Sequence, residues 1–163
     1  MATSERFVDA LNAQISREFY AAHQYTAVAT WYSGETFPQL AKYFYDQATE
    51  EREHALKMVN YLLDRGEKVD FKEIGQPKAE FADWIEPLKL ALQQEQKVTV
   101  NISELQAIAR ETNDFVSEQF IHWFLEEQVE EESSMQDLID VAERCRDVPM
   151  LLEEYLARET PGE

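Results

Sequence analysis

Apolar residues return at spacings of three and four along most of the chain, the signature of helices that bury one face. Four long stretches and one short one keep this rhythm. The first opens at Thr3 or Ser4, either of which can cap with its hydroxyl, and stops near Ser33-Gly34. Pro38 starts the second at a first-turn position, where a missing N–H costs nothing, and Gly66 ends it. The third begins between Asp83 and Pro87 and ends near Thr112; Asn113 or Asp114 caps the fourth, which reaches about Arg144. A short fifth, MLLEEYLAR, follows Asp147 and Pro149. Short turns join the first helix to the second and the third to the fourth, so each pair should lie antiparallel. Residues 67–82 show no sustained period and are long enough to run the length of a bundle. The pattern therefore predicts an all-α four-helix bundle with one long crossover and a short C-terminal helix, as a single domain over residues 1–163.

The stripes contain charges where apolar side chains belong. The first helix reads Phe7, Leu11, Ile15, Glu18, Ala22, Tyr25, Ala29, Tyr32, and the second reads Leu40, Phe44, Gln47, Glu51, His54, Met58, Tyr61. The third reads Leu88, Leu92, Glu95, Val98, Ile102, Leu105, and the fourth Phe120, Phe124, Gln128, Glu131, Met135, Leu138. A bare buried carboxylate costs several kcal/mol or takes up a proton instead. Four helices carrying the same defect near mid-length can offset that cost by enclosing cations. Glu51 and His54, at i and i+3, point to one side of one turn. Four carboxylates and one imidazole suit iron or manganese, and their charge of about −4 matches two divalent ions. Glu51, nearest the centre, is placed to bridge them. Each acid taken singly has a plain alternative as a surface or hydrogen-bonded core group; the coincidence of four argues for the metal.

Composition agrees. The 163 residues carry 33 acidic and 15 basic side chains, a net charge of −18, which attracts cations and disfavours nucleic acid as a partner. Hydrophobic residues at 44% suffice for a core, and 4 Gly with 5 Pro are too few turns for a many-stranded β protein. No apolar run approaches the ~18 residues of a membrane span. The opening MATSERF lacks a basic stretch followed by an apolar one, and a single Cys145 permits no internal disulfide; a cytoplasmic location is expected.

The segments EFYAAHQY around Glu18, EEREHA around Glu51 and His54, EQKVT at Glu95 and WFLEEQVEEE at 123–132 resemble the prokaryotic non-haem ferritins. Ferritin-like di-iron proteins are a known case of two Glu and two Glu-x-x-His motifs. This chain has Gln128-x-x-Glu131 as its second pair, which resembles a ferritin proper rather than a bacterioferritin. Arg52 stands beside Glu51 where a haem-binding member would offer Met, so no haem is expected.

The resemblance implies a hollow cage of twenty-four subunits that oxidises ferrous iron with dioxygen or peroxide and stores ferric mineral. It implies Glu18, Glu51 and His54 as ligands of a first iron, and Glu51, Glu95 and Glu131 as those of a second, with Gln128 beside them. It implies a third iron site at Glu50, Glu127, Glu130 and Glu131, although Glu50 and Glu127 lie one step off the stripes and read equally as solvated charges. It casts Tyr25 as a redox-active or hydrogen-bonding neighbour; a core tyrosine with a satisfied hydroxyl is the alternative. Trp123 reads as core, and His23 and His122 as surface. Asp114 and Glu118 fall where the family has its three-fold channels, yet capping or solvation explains them as well. Leu151, Leu152, Tyr155 and Leu156 fall in the segment around the family's four-fold axis. Two other classes remain: a discrete di-iron redox enzyme of the rubrerythrin or peroxidase kind, which usually carries Cys pairs absent here, and a metal-free acidic bundle.

Overall fold

Five helices form among the described residues, in the order expected. In the computed structural model they are α1 (Glu5–Gly34), α2 (Pro38–Asp64), α3 (Glu86–Glu111), α4 (Phe115–Arg144) and α5 (Met150–Glu159). The structure describes residues 3–159, so the outermost ends of the expected domain, including the last residues of the polar tail, lie outside the described residues. Ser4 caps α1 by accepting from the Phe7 N–H at 3.2 Å. Asp114 caps α4, accepting the Ser117 N–H at 3.1 Å and the Ser117 hydroxyl at 2.6 Å. Gly66 takes φ +74° just past α2, a value that a side chain would resist. Helix α3 starts at Glu86, where Asp83 Oδ1 accepts the backbone N–H groups of Ile85 and Glu86 at 2.9 Å.

Helix α1 packs along α2 and α3 along α4, with α1 also against α3 and α5 against α2. The crossover between α2 and α3 carries no helix or strand and is mostly exposed. Two buried amides pin it. Asn12 donates to the Lys68 carbonyl at 3.1 Å and accepts the Asp70 N–H at 2.8 Å. Gln24 does the same with both backbone groups of Lys78, at 2.7 and 2.8 Å. These contacts satisfy buried amides and crossover backbone together, which an exposed strap needs if it is to hold one path.

The core falls into two apolar clusters. One gathers Tyr25, Tyr32, Leu40, Phe44, Leu88 and Met135 near the α1–α2 turn and α5. The other gathers Phe7, Leu11, Ile15, Met58, Leu62, Ile102, Ile121 and Phe124 near the opposite end. On each of the four long helices the polar stripe positions separate one cluster from the other. The stripe of α1 differs in one step: Ala21 is buried and Ala22 lines a surface groove, because a stripe broader than one residue per turn lets either alanine face inward.

One contact joins the short helix to the bundle. No side chain of α2 or its Phe37 cap position satisfies the first N–H groups of α2. Glu153 of α5 does so, accepting from Gln39 N at 2.7 Å and Leu40 N at 3.0 Å. A carboxylate at a helix N-terminus also meets the positive end of its dipole. Glu153→Ala is therefore expected to cost about 1 kcal/mol, the usual worth of a cap. Chemical denaturation of Glu153→Ala beside Glu153→Gln, which keeps a weaker acceptor, measures it.

Candidate metal centre

Each long helix delivers one layer of polar groups to the gap between the clusters. Glu18, Glu51, His54, Glu95, Gln128 and Glu131 are all buried. Glu18, Glu51 and His54 each place one potential ligand atom within 4.8 Å of the others. His54 Nδ1 lies 3.7 Å from Glu51 Oε2, as the i, i+3 spacing within one turn requires.

Hydrogen bonds orient this layer. Gln14, fully buried one turn before Glu18, donates to Glu18 Oε1 at 2.7 Å. The Tyr25 hydroxyl donates to Glu95 Oε1, and Gln128 Nε2 donates to Glu95 Oε2 at 3.1 Å. Glu18 and Glu51 act on each other's protonation, as do Glu50 and Glu131. Two buried carboxylate oxygens, Glu18 Oε2 and Glu51 Oε1, have no hydrogen-bond partner. Unmade bonds at a buried carboxylate are costly, and both oxygens belong to the group of three.

The electrostatics show the strain of gathering acids. Burial, then the Glu51 charge, holds the Glu18 carboxyl well above the usual range. Burial raises Glu51 to about 8, aided by the charges of Glu95, Glu131 and Glu50. Glu131 also rises to about 8, through burial and then the charge of Glu95. Burial raises Glu95 too, against the hydrogen bonds from Tyr25 and Gln128. A set of carboxylates forced to keep protons is a set whose charge a divalent cation would satisfy better. Oxygen donors with one imidazole fit iron or manganese by softness and number.

Beside the layer opens a pocket of about 610 Å³, lined by Tyr43, Gln47, Glu50, Glu53, His54, Lys57, Trp123, Glu127, Glu130, Glu131 and Ser134. Glu50, Glu127 and Glu130 thus share this mouth, and none of them is buried. Trp123 is not sealed core as expected but half-buried on the mouth's wall, edge-on to His54 with ring centroids 5.6 Å apart. It sits one position before the truly buried Phe124, and a helix turns by about 100° per residue. His23 and His122 are exposed. Glu118 accepts from Arg110 and Gln106, so it and the cap Asp114 have local partners. Sequence reasoning did not single out Gln14, although its i, i+4 spacing to Glu18 was a signal for it. Lys57 gave no such sign.

This layer and bundle define a class. The chain belongs to the ferritin-like domain family, which matches residues 8–145. It is 44% identical over 154 residues to ferritin BfrB of Mycobacterium tuberculosis, covering 94% of this chain and 85% of that protein. It is 40% identical over 144 residues to the bacterial non-heme ferritin of Staphylococcus aureus, covering 88% and 87%. The open pore ferritin of Archaeoglobus fulgidus superposes with a TM-score of 0.91 at 29% identity, covering 94% of this chain and 96% of that one.

Proposed function

We propose that this ferritin stores iron in a multi-subunit cage of the twenty-four-subunit kind, after oxidising ferrous iron at its buried polar layer. The observation that carries the reading is the pair of unpartnered carboxylate oxygens on Glu18 and Glu51, beside His54, in a gap lined by proton-holding acids. The iron is the substrate. Glu18, Glu51 and His54 would hold one ferrous ion and Glu51, Glu95 and Glu131 a second, with Glu51 between them. The two ions deliver one electron each to dioxygen, which takes up two protons to leave as hydrogen peroxide; peroxide can serve as oxidant in turn. Anionic oxygen ligands favour the ferric state, because the more charged ion binds them more strongly. Gln14 leaves Glu18 one free oxygen by occupying the other. Tyr25 and Gln128 hold Glu95 by both oxygens and fix its orientation, and each oxygen keeps a second lone pair that could take up iron. The mouth at Glu50, Glu127 and Glu130 offers a third position on the way between the layer and solvent.

Cytoplasmic residence fits the unpaired Cys145, and no described helix is long and apolar enough to cross a membrane. The reading is tested by adding ferrous iron in air and following ferric absorbance. Oxidation faster than in a protein-free control is the expected result. Size-exclusion chromatography of the same sample should show the cage; a small species with the same oxidase activity would instead mark a discrete di-iron enzyme.

A further inference from the structure

The mouth contains one cation of its own. Lys57 projects from α2 one turn after His54 and seats its ammonium on the face of Trp123, with Nζ 3.1 Å from the ring centroid. The Phe124 ring lies 5.6 Å away. Trp123 in turn stands edge-on to His54, so the lysine, the indole and the imidazole form one packed row along the wall. The carboxylates of Glu50, Glu53, Glu127, Glu130 and Glu131 line the same pocket, and the Glu127 charge acts directly on Lys57. Lysine is a long flexible side chain and Lys57 is exposed, so the ring's negative face and the surrounding acids, rather than burial, favour this seat.

We propose that Lys57 is a built-in counter-ion of the acidic mouth, seated by Trp123, which lowers the affinity of that mouth for divalent cations and so keeps it a place of passage. The proposal rests on the reading that cations enter this layer. With the ammonium in place, an arriving divalent ion meets carboxylates already partly balanced, and must repel a like charge to settle. With the ammonium gone, the same acids hold the arriving ion harder. Trp123 supplies the geometry, because its ring holds the ammonium at the wall instead of between the carboxylates, and the way in stays open. The pocket, at about 610 Å³, is large against the ~30 Å³ share of one water, so ammonium and hydrated cation can both be present.

Co²⁺ alone is the probe, since it does not oxidise in air under these conditions and quenches indole emission at close range. The assembled protein is titrated while Trp123 emission is followed, with Trp123→Phe as the blank for Trp31 and Trp84. Lys57→Met keeps the stem and removes the charge; Lys57→Arg keeps the charge. Lys57→Met is expected to bind Co²⁺ at the mouth about five- to tenfold tighter at low salt, as loss of one unit charge nearby implies, with the difference shrinking as salt is raised. Lys57→Arg is expected to match the parent. Unchanged or weaker binding in Lys57→Met overturns the proposal, and so does a shift of equal size in Lys57→Arg, which would mark packing rather than charge. A parent protein that takes up no Co²⁺ at all would overturn the cation reading of the layer itself, a distinct result from a parent that binds and a Lys57→Met that binds no better.

Discussion

Glu51→Ala is expected to reduce the rate of ferrous oxidation to that of a protein-free control while the cage still assembles. On the proposed reading Glu51 would serve both ions, so its loss would remove a ligand from each. The fall should be at least about a hundredfold, since even partners outside the ligand set are commonly worth roughly 10–100-fold. Assembly should survive because Glu51 lies inside the bundle, 1% exposed, and touches no outer surface. The folded chain should not suffer either. Glu51 Oε1 has no hydrogen-bond partner, its carboxyl is forced to hold a proton, and alanine is the better helix former. Stopped-flow ferric absorbance and size-exclusion chromatography of the variant read the two halves separately. Parent-like initial rates in an intact cage would remove Glu51 from the bridging role.

The second large effect is a stability that falls as pH rises when metal is withheld. Glu51 and Glu131 hold their protons to about 8 in the folded chain, against 4.5 for an ordinary glutamate. Between those values the folded state binds more protons than the unfolded one. Stability is then fullest below about 4.5 and is lost as pH climbs through about 8, by on the order of a few kcal/mol between them. Divalent cations bind the deprotonated acids, so saturating Co²⁺ should flatten or invert that slope. Urea unfolding across this range, with chelator and then with Co²⁺, measures both. The net charge of −18 also favours unfolding at high pH, so Glu51→Gln, which cannot ionise, isolates the contribution of Glu51. A chelated parent and a chelated Glu51→Gln with equal slopes would show that Glu51 ionises normally.

Much of this molecule was legible in residue spacing. Ser4, Gly66 and Asp114 mark helix ends because capping chemistry acts over three or four residues and needs nothing distant. Glu18, Glu51, Glu95 and Glu131 announced themselves because a helical period assigns each residue a face, and an acid on the buried face is anomalous wherever the helix goes. That Glu18 and Glu51 come together followed from their similar depth, while Glu95 and Glu131 are buried outside that group of three. The errors were of one step, as at Ala21 and Trp123, where a face boundary runs between neighbouring residues.

What remained hidden depends on pairs far apart in the chain. Glu153 caps α2 across 113 residues, Asn12 and Gln24 hold the crossover, and Tyr25 reaches Glu95 across 70. Lys57 looks like any surface lysine until α4 brings Trp123 beneath it. A periodic sequence dictates which residues form a helix, which side is buried, and where acids interrupt it, because these follow from local geometry. It does not dictate which oxygen of a carboxylate is occupied, which ring lies under which ammonium, or which helix lends another its cap. Those are settled by the few ångströms and single rotamers with which the packed helices come together.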